Sequence, residues 1–204
     1  MSAEAQSPGE SSKGSSNKFG VTYSRITGFN YSLQETTNNN SDEDSAQLNG
    51  TTVFYELLIN EQFSIGFSAS IYGERYLELT LGTDAYEIIE TTTFYSLDFK
   101  SYFFNYNDRG LNPYVGISQA YFSSQSDITK TNASGTETTG STKATIPTNF
   151  LTIGIGYSMD KTGIQVEYSL LREKRNDTTG YSGHKATYDL ENSYLTGISV
   201  FSMF

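Results

Sequence analysis

From Phe19 to the end of the chain one pattern recurs: a large apolar side chain at every second position, with a small or polar one between. Successive side chains of a β-strand point to opposite faces, so a period of two specifies strands with two unlike faces and is wrong for a helix. Leu151, Ile153, Ile155, Tyr157 and Met159 alternate with Thr152, Gly154, Gly156 and Ser158, and Phe63, Ile65, Phe67, Ala69 and Ile71 alternate with Ser64, Gly66, Ser68 and Ser70. Ile164, Val166, Tyr168 and Leu170 stand against Gln165, Glu167 and Ser169. The pattern predicts eight strands, near 18–31, 51–60, 62–81, 86–104, 113–124, 148–159, 163–174 and 187–204. An even number lets an up-and-down meander close on itself.

The connectors are of two kinds. Asn60-Glu61, Asn105 to Pro113 and Asp160 to Gly163 are short and carry the residues of turns, whereas Gln34 to Gly50, Gln125 to Ile146 and Asn176 to His184 are long, polar and rich in Thr, Ser, Asn and Gly. The Leu81 to Tyr86 connector is short, but the strands flanking it are long enough to carry a hairpin past a bilayer that needs roughly 9–11 residues per strand. Short turns at one end and protrusions at the other is the plan of a transmembrane β-barrel, with both termini on the short-turn side.

A soluble eight-stranded barrel would alternate as well, with its apolar stripe inside. Its outer face would then read Gly-Ser-Gly-Ser with few charges, against the usual density of Lys and Glu on a soluble surface. Only 18% of residues are charged. The stripe therefore points outward into lipid, and the small residues fill a lumen that eight strands leave barely wide enough for side chains. Phe19, Tyr31, Phe63, Tyr95, Phe103, Tyr121 and Tyr194 are then expected as interfacial girdles. The fold class expected is all-β, a closed antiparallel transmembrane barrel over 18–204, behind a disordered tail at 1–17 that has no apolar run. Met1-Ser2 ahead of Ala3 reads as a start placed on a chain whose export signal was removed.

The final strand, Tyr194-Leu-Thr-Gly-Ile-Ser-Val-Phe-Ser-Met-Phe204, resembles the carboxy-terminal signature of bacterial outer-membrane barrels, departing from it at Ser202. As a pattern over 18–204 the chain is similar to the small eight-stranded barrels of the OmpA-transmembrane and OmpX type. The resemblance implies a Gram-negative outer membrane with periplasmic termini, contact with lipid and lipopolysaccharide, and a barrel assembly machinery that reads Phe204.

Parity places Glu56, Asp98, Lys100, Gln165 and Glu167 in the lumen, where buried charges must pair. They are expected to plug it rather than to form an ion path. Arg25 and Arg172 fall on the lipid-facing parity near the long-loop end, where a guanidinium either snorkels at the girdle edge with no specific lipid or pairs with a lipopolysaccharide phosphate. The chain has no Cys and one His, so thiol chemistry, Cys-ligated zinc and a multi-His metal site are excluded, and no cofactor is expected. His184, in a polar loop beside Ser182, is expected to be solvent-exposed and not catalytic; the chain is not read as an enzyme. The acidic run Ser41 to Ser45 lacks the ligand spacing of a calcium loop. A net charge of -10 argues against nucleic acid. Two functions remain: a monomeric surface-interaction, adhesion-type protein working through its projecting loops, and a narrow transporter or channel for small or hydrophobic solutes.

Overall fold

The computed structural model describes residues 17–36, 40–105, 109–171, 176–181 and 183–204, with backbone only at 46, 176–179 and 181. The expected tail therefore lies outside the described residues, apart from Asn17. Ten strands run β1 (Asn17–Glu35), β2 (Ser41–Leu58), β3 (Phe63–Leu81), β4 (Asp84–Tyr102), β5 (Gly110–Thr131), β6 (Glu137–Met159), β7 (Thr162–Leu171), β8 (Asn176–Tyr181), β9 (His184–Asp189) and β10 (Tyr194–Met203). Consecutive antiparallel neighbours β1 to β7 are followed by β10, which pairs back with β1 and closes a ring of eight. The β8–β9 hairpin extends the wall above β7 and β10 and pairs with the upper part of β1. The start of β1 and the end of β10 meet at the lower end, where the Asn17 amide donates to the Phe204 carbonyl at 3.2 Å.

An apolar belt girds the lower half. Phe19, Phe63, Tyr95, Phe103 and Tyr121 point outward, as do Ile153, Ile155, Val166 and Ile198. Behind it Gly66, Gly116 and Gly154 leave room inside; a Cβ on Gly154 would lie 2.2 Å from the Tyr114 ring.

Three expectations are corrected. The stretches 34–50, 125–146 and 176–184 are not long loops. Most of their residues lie in ladders, Gln34↔Ser41 up to Ser24↔Gly50 and Thr131↔Glu137 down to Phe122↔Ile146. Thr and Ser, taken as loop formers, pair well across strands. Tyr31 is not in a girdle: it is fully buried, because the β1–β2 register shifts between Thr27 and Phe29 at Gly28, whose φ of 85° suits glycine. His184 is buried rather than exposed, for the reason given below.

Strands β1 to β6, of 18 to 23 residues, overshoot the belt. At about 3.3 Å per residue and a tilt of about 40°, the surplus raises the wall roughly 20–30 Å above it. In this upper barrel the two faces exchange character. Phe29, Tyr31, Leu33, Leu79, Tyr86, Ile88, Phe122, Ile128 and Tyr188 fill the inside, while Glu74, Glu78, Glu87, Asp127 and Lys143 face out.

Candidate functional site

The lower lumen holds a polar network. Glu56 on β2 is buried and accepts from Ser64 at 2.6 Å, from Lys100 at 3.3 Å and from the Tyr102 hydroxyl, and Lys18 lies 3.8 Å away. Lys18 in turn donates to Gln165 at 2.6 Å and lies over the Phe201 ring, 4.0 Å from its centroid. Asp98 accepts from Ser96 at 2.8 Å and Glu167 from Tyr114 at 3.1 Å. All five residues expected in the lumen are thus inside the ring, with Glu56, Lys100 and Gln165 drawn together through Lys18. That lysine escaped sequence reading because it borders the polar tail, although it shares parity with Thr22 and Ser24. Phe54, Tyr102, Tyr114, Phe201 and Met203 form an apolar cluster around the two ammonium groups, with Lys100 5.1 Å from the Tyr114 ring centroid.

Above the network lies a cavity of about 50 Å³, lined by Ser68, Ser70, Ser96, Asp98, Lys100 and Glu167 among others. Phe94 and Phe150 border it, edge to face at 5.0 Å, and belong to the apolar core that fills the upper barrel.

Two further polar groups sit in the upper core. Arg75 and Glu90 are buried opposite each other on β3 and β4, Nε to Oε2 at 2.9 Å but off the line of a hydrogen bond; Ser124 donates to Glu90. Burial pushes the Glu90 carboxyl up, against the opposing pull of Arg75. The β3–β4 register shift between Tyr72 and Arg75 turns this arginine inward; the Gly73-Glu74 break in alternation was the only trace of it in the sequence. At the top, the Tyr86 hydroxyl lies 2.7 Å from His184 Nε2, which is 3.7 Å from Glu35. Burial raises the Tyr86 phenol, and the Asp84 carboxylate 2.6 Å from Lys130 raises that amine. His184 is buried because β9 continues the ladder beside β1 and turns it inward. Its partner is a phenol, and Ser182 lies outside the described residues.

The outer face of β3 and β4 above the belt is acidic: Glu74, Glu78 and Glu87 are exposed near Tyr76, itself 71% exposed, with Ile89 opposite it, and Glu43 is exposed on the outer face of β2. Arg25 lies at the upper rim of the belt, exposed and bonded to Gln47, on the edge of an outer-wall groove with Tyr23, Val166, Tyr168 and Ile198. Arg172 lies outside the described residues. Phe204 is exposed at the lower end of the wall. Among the described residues no group of three or more His, Asp or Glu is placed to hold a metal.

The outer membrane protein OprG of Pseudomonas aeruginosa has a similar structure, with a TM-score of 0.54 over 94% of this chain and 98% of that one at 10% identity. The fold is that of a small outer-membrane β-barrel. Neisserial surface protein A, at 12% identity, aligns over 91% of this chain and 97% of its own with a TM-score of 0.43. Ail, the attachment invasion locus protein of Yersinia pestis, also at 12%, aligns over 89% and 98% with 0.40. No family model and no curated protein matches the sequence.

Proposed function

We propose that this barrel sits in a bacterial outer membrane with its termini in the periplasm and displays its upper barrel outside the cell, as a monomeric, non-enzymatic surface-interaction protein. The observation that carries this reading is the exchange of faces above the belt. A packed apolar interior turns the projecting strands into a stiff platform, and a platform that conducts nothing has its outside left to work with. There the acidic surface around Tyr76 has the composition of a recognition patch, an exposed aromatic ringed by charge, suited to a basic partner. The lumen network acts as a plug, and Arg25 at the groove rim is placed for a lipopolysaccharide phosphate. Phe204, exposed beside the closing strand, serves as the assembly signal.

The test uses the full chain in nanodiscs. It should be retained on a polylysine surface at physiological salt, and amide substitution of Glu43, Glu74, Glu78 and Glu87 together should abolish retention. Neutralising Glu61, Asp127, Glu137 and Asp160 instead, the same charge removed elsewhere, should leave it. Equal loss from both sets would overturn the patch reading, as would steady conductance of the wild type in planar bilayers for the plug.

A further inference from the structure

Resting on the reading of Arg25 as a phosphate ligand at the outer leaflet, we propose that the wall at β1, β10 and β7 holds one phosphorylated, acylated sugar lipid. Its acyl chain lies in a groove of the belt and a sugar ring on a ledge above. β7 and β10 have ten residues each and stop near the upper rim of the belt, whereas β1 and β6 continue upward. Below the rim is the outer-wall groove, of about 660 Å³, lined by Tyr23, Ile153, Ile155, Val166 and Ile198 among others. Above it is a second recess of about 450 Å³ with a mixed lining that includes Leu170, Glu191, Asn192 and Tyr194. Tyr168 borders both.

The strand registers align the chemistry. Arg25 pairs with Thr196 and Thr196 with Tyr168, so a cation, a hydroxyl and a phenol ring stand in one outward row across β1, β10 and β7. The row below, Tyr23, Ile198 and Val166, is apolar and buries an acyl chain. The row above brings Tyr194, whose ring centroid lies 5.5 Å from that of Tyr168. Gln47 accepts from Arg25 Nη2 and holds the guanidinium at the wall; among the described residues Arg25 is the one cation exposed at the upper rim. A guanidinium suits a phosphate because it can donate two parallel hydrogen bonds. The ledge is pinned at three points. Ser193 Oγ donates to the Gly28 carbonyl at 2.8 Å, its amide to the Leu190 carbonyl at 3.1 Å, and its carbonyl accepts from the Leu171 amide at 3.1 Å. Asn192, exposed with a φ of 63°, offers an amide there. A plain phospholipid would use the groove and Arg25 and leave the ledge idle. A sugar lipid engages all three, since its ring packs on aromatic faces and its hydroxyls bond an amide.

Native mass spectrometry of the full chain in detergent tests this, titrated with monophosphoryl lipid A or with phosphatidic acid, which carries the same phosphate monoester without a sugar. Lipid A is expected to bind about tenfold more tightly or better. Arg25→Gln should weaken both lipids about tenfold, and Val166→Trp, which fills the groove, should weaken both as well. Tyr168→Ala with Tyr194→Ala should bring lipid A down to the level of phosphatidic acid and leave the latter unchanged. Lys143→Gln, which removes an outer cation above the belt, should change neither. If the wild type binds the two lipids equally while Arg25→Gln weakens both, the sugar ledge is overturned and Arg25 remains a phosphate ligand. If Arg25→Gln changes neither lipid, the phosphate reading falls together with the site. A lipid-free dimer would overturn the site by making the groove a contact between copies.

Discussion

Lys100 reaches from β4 to Glu56 on β2, Nζ to Oε2 at 3.3 Å, and Lys18 approaches the same carboxylate oxygen from β1 at 3.8 Å. One carboxylate thus serves two buried ammonium groups. Removing it leaves two cations in the lumen, whereas removing Lys100 leaves a Glu56–Lys18 pair with Ser64 and Tyr102 still donating. Breaking a buried pair costs about 3–5 kcal/mol, so Glu56→Ala should lower the urea midpoint much further than Lys100→Ala. Neither should open conductance, since Phe54, Tyr102, Tyr114, Phe201 and Met203 pack against one another as well as against the two ammonium groups. A clear channel in Lys100→Ala, recorded in planar bilayers, would make the network a gate instead.

The Arg75–Glu90 pair makes a different prediction because it lies in an apolar core. Arg75 Nη1 and Nη2 are buried with no hydrogen-bond partner among the described residues. Arg75→Met alone strands Glu90 and should destabilise by about 3 kcal/mol, while Arg75→Met with Glu90→Leu should be close to neutral or stabilising. Chemical denaturation of the three proteins checks the order. pH adds a sign. Burial raises the Glu90 pKa, so between the usual carboxylate value of 4.5 and its raised one the folded chain holds a proton that the unfolded chain has released. This group therefore stabilises most at the acid side, and its contribution declines as pH rises through that window. Glu90→Gln should flatten that decline.

The architecture was legible in alternation, and the errors trace to two bulges and to a change of medium. Gly28 and the Gly73-Glu74 pair each insert an offset, so parity counted from Phe19 placed Tyr31 outside and gave no hint of Arg75 inside. The apparent choice between a lipid-facing and a soluble barrel was a false one. Both occur on the same strands, the apolar stripe outward in the belt and inward above it, and the Thr-rich segments read as loops are the upper wall. Parity holds through the belt because its strands carry no offset. Lys18, Arg75 and His184 were missed because each lies at a boundary, beside the tail, after a bulge or at a turn, where periodicity carries least information.

Gly28 offers a direct check on that reasoning. Its φ of 85° is a conformation side chains rarely adopt, and an added Cβ would lie 3.2 Å from the Asn192 carbonyl. Gly28→Val should therefore cost on the order of 1–3 kcal/mol, as strain or as loss of the bulge. Losing the bulge would turn Tyr31 outward, read by an increase in its accessibility to a tyrosine-selective reagent. An unchanged midpoint with Tyr31 still protected would show that the offset is held elsewhere.

Glycines of ordinary φ separate packing from strain. At Gly163 a Cβ would meet the Tyr157 carbonyl at 2.5 Å and the Phe201 ring at 2.3 Å, and the first of these is backbone held by the β6–β7 ladder. At Gly156 the nearest atoms are 3.8 Å away. Gly163→Ala should thus destabilise by about 1–3 kcal/mol, and Gly156→Ala should be near neutral. Heat-modifiability on gels, with refolding yield from urea, ranks the two.

At the top, Tyr86 and His184 tie β4 to β9 across the open end of the upper barrel, with Glu35 of β1 beside the imidazole. The rings also meet edge to face at 5.2 Å, so Tyr86→Phe keeps the packing and removes one hydrogen bond, while His184→Ala removes both. Loss of a buried hydrogen bond costs about 1 kcal/mol and loss of the ring more. Because the belt has its own apolar cluster and ladder, the damage should stay local. Hydrogen exchange should speed up in 176–189 and 31–36 for His184→Ala, less for Tyr86→Phe, and remain unchanged at Leu151 to Tyr157. Faster exchange throughout the belt would show that the upper core and the membrane-level barrel unfold as one cooperative unit, and that the packed aromatic side chains between them, Phe94 and Phe150 among them, couple the two.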